Sequence, residues 1–328
     1  LADGGHQGSA SNMAAMFMLM NAARMGTAMS GVAYAEIARQ NAADYARQRL
    51  AGRAPERAHT PGQPADPIIA HPDVRRMLLF MRSHVEAMRA LIVYNAAALD
   101  LSRALDGDEA TAWGEIAELL TPVTKAWCTD VGMEVTSTAV QVFGGMGYIE
   151  ESGVAQHFRD MRIAPIYEGT NGIQAMDLVG RKLGLRMGGV VNDLLDRMTA
   201  TVAELDAAGE SFASMATELR AGIDTLSDVT SWIMTSGLAD PKEALAGATP
   251  YLRIFGIVTG GWLMARQALA ARAELDAGSS DSAYLEAKIV TARFYAEQQL
   301  PQAAGWVASV KGGAAVLYDV DADQLASV

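Results

Sequence analysis

A chain of 328 residues is long enough for two domains of ordinary size around a large core. Its 26 Lys and Arg against 38 Asp and Glu give a net charge of -12, which repels polyphosphates and anionic lipid surfaces and argues against nucleic acid as a partner. Half of the residues are apolar and only 6% aromatic, with 18 Met, a composition that favours helix packed on helix, while the single cysteine, Cys128, excludes an internal disulfide and suits a reducing, cytoplasmic compartment.

Residues 1–11 read as a disordered or linker remnant, since Leu1 is not Met and no signal-peptide pattern follows. From Asn12 to about Arg49 the chain is nearly free of breakers, and Met13, Met16, Met20, Met25, Ile37, Ala43 and Ala46 recur at roughly helical spacing, which predicts one long helix or two in succession. The Met residues of this stretch, Met18 and Met29 included, read as adaptable core. "AGRAPERAHTPGQPADP" (51–67) carries four prolines and cannot keep a helical ladder, so it is predicted as loop. A second helix opens at His71-Pro72-Asp73 and repeats Val74, Met77, Leu78, Met81, Val85, Met88 and Ile92 at three and four.

A third helix is predicted from about Glu109 to Phe143, bent at Pro122, ending where "GGMGY" allows a turn. Within it, Cys128 reads as a buried inert thiol. With a short fourth helix after Thr170 these elements make a bundle. After the glycines of "LGLRMGGVV" (183–191), amphipathic segments near 190–208, 212–236, 242–275 and 283–299 form a second helical set. The predicted architecture is therefore all-α: an up-and-down four-helix bundle over 12–186, then a second helical domain over 187–328. The longest apolar run, 254–265, falls short of the ~20 residues that a bilayer span needs. Its Gly256 and Gly260 read as close helix packing. The five histidines show no metal-ligand spacing with acids.

One short stretch, "RIAPIYEGTNGIQ" (162–174), combines several local signals. Glu168 follows apolar residues and Tyr167, which predicts a partly desolvated carboxylate suited to taking a proton from carbon. Gly169 lets a ligand approach the backbone, and Thr170 and Asn171 can open a helix whose free N–H groups favour an anion. Taken alone, a glutamate in a chain so rich in acids is usually a solvated side chain.

"YEGTNGIQ" resembles the active-site signature of the acyl-CoA dehydrogenase family, and "AVQVFGGMGYIEE" (139–151) leading to "FRDMRIAPIYEGT" resembles a second motif at the family's spacing. A third, "MNAARMG" (20–26), is similar to the family's Asp-x-x-Arg, with Asn21 in the Asp position and Arg24 kept. The tail is similar to the branch with an extra C-terminal domain, which includes 3-methylmercaptopropionyl-CoA dehydrogenase. The resemblance implies that Glu168 removes the α-proton of an acyl-CoA thioester, with FAD as cofactor and trans-2-enoyl-CoA as product. It also implies that Gly169 borders the substrate and that Asn21 and Arg24 meet it. Thr170 and Asn171 would hold FAD at the helix start, and Gln141, Val142, Phe143, Gly144 and Gly145 would receive the adenine side of a flavin from a neighbouring subunit. Arg49 matches the arginine that meets the diphosphate, and His71 a flavin-contacting histidine, although "LAGRAP" and Pro72 depart from the family's pattern around them. A homo-oligomer, dimer or tetramer, and an electron-transfer flavoprotein as electron acceptor are further implications. No segment resembles the family's N-terminal or middle domain, so the chain is expected to be incomplete and inactive alone. A non-catalytic oligomerisation module and an acyl-CoA oxidase stay open as alternatives.

Overall fold

The computed structural model describes residues 6–55 and 61–327, without the side chains of 6–18 and 236–238. Helix α1 (His6–Gln48) begins six residues before the expected start, α2 (Pro72–Ala104) opens with Pro72 at its first position, and α3 (Gly107–Phe143) runs through Pro122 without ending. These three long helices pack on one another as the body of the bundle. The faces are those the periodicity names: Met77, Met81, Val85, Met88 and Ile92 of α2 are buried, with Val74 and Leu78 packed at their edge. Met25 of α1 packs against the core while Met29 is half-exposed, and Met13, Met16 and Met18 lie outside the described side chains.

The Pro-rich connection is more ordered at its ends than loop chemistry alone predicts. Leu50 and Pro67 form an antiparallel bridge, and buried Asp66 accepts hydrogen bonds from Ala54 N (2.9 Å) and Arg53 Nη1 (3.3 Å). That closure brings Arg49, at the end of α1, back to the start of α2. Residues 56–60 lie outside the described residues.

Beyond α3, α4 (Gly145–Tyr148) and α5 (Val154–Met161) lead to α6 (Asn171–Asp177), which continues as a π turn over Leu178–Lys182. The chain then reverses through Arg186 and Met187, both with positive φ, where Arg186 pairs with Glu115 of α3 and Asp193. The second set is α7 (Gly189–Ala207), α8 (Ala213–Ala239), α9 (Pro241–Ala246), α10 (Ala248–Asp276) and α11 (Ser282–Gln298), followed by the short α12 (Gln302–Gly305) and α13 (Val307–Lys311). The segment expected over 242–275 is thus two helices, parted at Gly247, where a Cβ would stand 2.6 Å from the Val310 carbonyl oxygen.

The two sets share one continuous core. Its centre is α10, which is long and apolar enough to cross a membrane but has most of its surface buried inside the protein. Gly256 and Gly260 of α10 face Trp127 of α3: a Cβ at Gly256 would lie 2.2 Å from the indole Cγ and Cδ1, and one at Gly260 would lie 2.9 Å from its Cη2. Those glycines let a tryptophan reach across, which is the close packing expected of their spacing. Cys128, on the same helix, is fully buried, and burial pushes its thiol pKa up.

His84 of α2 lies in this seam against the rings of Phe80, Tyr295 and Trp127, with Nδ1–H donating to Phe80 O (2.9 Å). Burial holds its pKa down to about 4; the Phe80 carbonyl and Glu134 oppose the shift and Arg253 reinforces it. The unfolded chain takes this proton near the ordinary histidine value and the folded chain only near 4, so acid favours the unfolded state across that window. Stability from this residue should fall by about 2 kcal/mol between about pH 7.5 and 5, and urea unfolding of a His84→Phe variant should show that much less acid sensitivity.

Candidate active site

Residues 162–170 leave α5 in tight turns, Ala164 N donating to Met161 O (3.0 Å) and Ile166 N to Ile163 O (2.9 Å). Only Ala164 of this stretch reaches the core. Ile163, Ile166 and Tyr167 are 54%, 46% and 40% exposed, so the apolar surround expected for Glu168 faces outward as a rim on this chain's surface.

Glu168 and Gly169 then adopt consecutive left-handed conformations, with φ of 58° and 81°. For a glutamate this costs ~1 kcal/mol or more and persists only where neighbours hold it. They do: Gln174 Nε2 donates to the carbonyls of Glu168 (3.3 Å) and Gly169 (3.4 Å), and Lys125 Nζ of α3 donates to Gly169 O (2.9 Å). Glycine suits this φ, and a Cβ there would stand 2.7 Å from Gln174 Nε2 and push that amide off the two carbonyls it holds. The side chain of Glu168 is half-buried, and its backbone N–H has no acceptor among the described residues. Thr170 caps α6, its Oγ1 accepting from Ile173 N at 3.3 Å.

Asn171 corrects the expectation placed on it. Its amide turns inward, Nδ2 donating to Asp130 Oδ1 (2.6 Å) and Thr129 Oγ1 (2.9 Å), while Oδ1 accepts from Lys125 Nζ (2.8 Å). A side chain so committed to α3 is not free to hold a cofactor. Lys125 itself has no solvent exposure. Burial lowers its pKa to about 8, against the pull of Asp130, with Arg24 adding to the shift and Glu168 opposing it. Asp130 is partly buried, and burial raises its pKa despite the hydrogen bond from Asn171.

Arg24 is buried rather than reaching solvent. Its Nη1 pairs with Asp177 Oδ2 (3.3 Å) and lies 3.4 Å from Asn21 Oδ1, and Asp177 also accepts from Arg181 Nε (2.6 Å). The carboxylate missing at position 21 is thus supplied by Asp177, from the helix that follows Glu168. Arg24 Nε has no partner among the described residues.

The other named residues gather elsewhere. Tyr45 stacks on Phe143 at 4.1 Å, and beside that stack Arg49, Val142, Phe143, Gly144 and Gly145 border a shallow pocket of about 400 Å³. Gly144 turns the chain with φ 59°, a Cβ on Gly145 would meet nothing within 4 Å, and Gly147 packs so closely on Val140 O that no side chain fits. Arg49 is exposed and has no ion pair among the described residues, so its guanidinium is open to an anion. His71 lies behind this pocket with Nε2–H donating to Ala51 O (2.7 Å), which fastens the loop and leaves only its other nitrogen free. Gln141 borders a neighbouring groove with Arg76 and Phe80. Along α3, Gly144 stands roughly 20–28 Å from the Lys125–Asp130 turn that holds Asn171. The candidate residues therefore form two patches, one around Glu168 and one around Arg49.

The family profile described as "Acyl-CoA dehydrogenase, C-terminal domain" matches residues 13–184, more than half of the chain. The chain belongs to the acyl-CoA dehydrogenase family. A second profile, "Acetyl-CoA dehydrogenase C-terminal like", matches residues 194–321. Among curated relatives of this acyl-CoA dehydrogenase chain, 3-methylmercaptopropionyl-CoA dehydrogenase of Ruegeria pomeroyi is 44% identical over 293 residues, 87% of the chain and 48% of the relative. A butyryl-CoA dehydrogenase of Syntrophomonas wolfei is 33% identical, covering 95% of the chain and 51% of the relative. The chain thus spans about half the length of these relatives. The fold matches Caenorhabditis elegans ACDH-11 in complex with C11-CoA at a TM-score of 0.70 and 18% identity, over 88% of this chain and 44% of that one. It matches a Bacillus anthracis acyl-CoA dehydrogenase complexed with FAD at 0.65 and 20% identity, over 95% of this chain and 51% of that one.

Sequence reasoning missed Lys125, Asp130 and Asp177. The first two lie in "TKAWCTD", a stretch read only for its cysteine, where a lysine inside an apolar helical run was itself a signal of a buried partner.

Proposed function

We propose that this chain is the C-terminal portion of an FAD-dependent acyl-CoA dehydrogenase in which Glu168 takes the α-proton of an acyl-CoA thioester to give a trans-2-enoyl-CoA. The observation that carries the reading is the strained turn. A glutamate is held at positive φ by two side chains from other elements, half-exposed, with its own N–H unsatisfied and an apolar rim of Ile163, Ile166 and Tyr167 beside it. Arg186 and Met187 also take positive φ, but only at Glu168 does the strained turn coincide with an unsatisfied N–H and an apolar rim, which supports a functional reading. A module that kept the signature without its chemistry would gain nothing from that turn.

An α-proton beside a thioester is too weak an acid for a carboxylate unless the oxygen that gains charge is met by fixed donors. The N–H of Glu168 is such a donor, so one residue serves as base and as part of the oxyanion site. The exposed rim excludes water once covered, which strengthens both roles. Bound FAD would accept the β-hydrogen with its electron pair. Arg49 and the open face of Gly145 fit the anionic part of such a cofactor, and Thr170 lies at the edge of the Glu168 turn; Asn171 does not fit. The separation of the two patches suits a dimer or tetramer in which each flavin touches two copies, and membership of the family suggests an electron-transfer flavoprotein as acceptor.

Anaerobic titration of the complete polypeptide with saturated acyl-CoA thioesters, from short straight chains to methylthio-acyl chains, tests the reading. Bleaching of the flavin's visible band with formation of an enoyl-CoA is expected; a flavin that no saturated thioester bleaches would sink it.

A further inference from the structure

Glu168 hangs on a turn that the chain would not adopt unaided; Gln174 supports it from α6, and the shortest bond to it comes from Lys125 of α3. Lys125 Nζ donates to Gly169 O at 2.9 Å and to Asn171 Oδ1 at 2.8 Å, so a single ammonium ties the residue after the base to the first residue of α6. Asn171 passes the tie on to Thr129 and Asp130, one turn along α3. The inner part of this tie is out of solvent: Lys125, Thr129 and Gln174 are fully buried, while Asp130, Gly169 and Asn171 are partly so. A buried lysine costs several kcal/mol unless its charge is used. Here the charge has two oxygen acceptors and a field from two carboxylates, Asp130 and Glu168, set against Arg24 of α1. On the far side, Asp130 is faced by Glu134 of its own helix and Arg253 of α10.

We infer that Lys125, with Asn171 and Asp130, is a positioning residue that aims the Glu168 carboxylate and its backbone N–H at the substrate by holding the Gly169 carbonyl. This rests on the assignment of Glu168 as base. The geometry favours it over plain packing. A lysine needed only for stability would be replaceable by an apolar residue of the same length, whereas one that holds the Gly169 carbonyl and the Asn171 amide together cannot be removed without leaving the turn to the longer Gln174 bonds alone. Loosening a reacting group by about 1 Å costs on the order of 10²-fold in rate.

The test uses the complete polypeptide with FAD bound and compares Lys125→Met and Glu168→Gln. For Lys125→Met the expected result is a kcat per bound flavin lower by about 10²-fold, with KM for acyl-CoA little changed. The α-deuterium isotope effect on kcat should rise, because proton removal becomes the slow step, and amide exchange across residues 165–174 should accelerate even before substrate is added. A merely structural role would lower the amount of folded, flavin-bearing enzyme and leave the isotope effect alone. If Lys125→Met does not fold, Asp130→Asn loosens the far end of the same tie. About a tenfold loss with the same isotope signature then supports the inference. Wild-type kcat and isotope effect in the folded variant overturn it. If Glu168→Gln still bleaches with acyl-CoA, the base assignment itself is wrong; if it is dead while Lys125→Met behaves as wild type, only the tie is wrong.

Discussion

Replacing Glu168 by Gln in the complete polypeptide should lower the rate of acyl-CoA-dependent flavin bleaching by about 10⁴-fold, the upper end of what a general base contributes. That is ~5 kcal/mol of barrier. The substitution keeps the volume, the backbone N–H and the hydrogen bond that Glu168 O accepts from Gln174, and it removes only the ability to take a proton. Glutamine has no advantage over glutamate at φ 58°, so the turn and its supports should be unchanged. Bound FAD, measured by absorbance after desalting, should therefore match the parent protein. Rapid mixing with substrate separates the two quantities. Retained bleaching with retained flavin would mean that another group removes the proton.

Gly256→Ala should be the most damaging single-methyl change in the seam between the two helical sets. The added carbon would sit 2.2 Å from two indole atoms of Trp127 and 2.8 Å from its Cβ, and neither partner is a flexible chain end. Trp127 is fully buried with its ring also against Gly260, so it has no free rotamer to retreat to. Overpacking of this kind costs up to ~3 kcal/mol or more, and the helical preference of alanine over glycine returns only ~1 kcal/mol. A net loss of about 2 kcal/mol by urea unfolding is the expected outcome. Combined with Trp127→Ala, which removes the indole and keeps only the Cβ at 2.8 Å, the alanine should cost clearly less than in the parent, because both 2.2 Å approaches are to ring atoms. An equal penalty in both backgrounds would place its cause elsewhere.

Much of the helical layout was legible because its signals are local and strong. Pro72 at a helix start, glycines at 144–147 and the three-and-four repeat of α2 each carry their own physical reason, and each ends or begins an element where expected. The helix read through Pro122 is one helix: a proline removes one hydrogen bond, but α3 is packed on both long neighbours and runs through it. The site was legible as a motif and illegible as a geometry. Glu168 and Gly169 stood out from residue types alone, yet nothing nearby in sequence says that Lys125, 44 positions before Gly169, would hold its carbonyl. Nor could Asn171 be separated in advance from a cofactor ligand, because an amide donates equally well inward or outward. The direction was decided by Asp130 on another helix. Arg24 and Asp177 show the same dependence on long-range contact, since an ion pair spanning 153 positions leaves no trace in local periodicity.

The wedge of Trp127 between Gly256 and Gly260 has an evolutionary corollary. A lineage that discarded everything past Gly184 would strip the cover from an indole on the same helix that carries Lys125 two residues before it. Such a shortened descendant would carry a bare indole into solvent, two residues from the lysine that holds the Gly169 carbonyl.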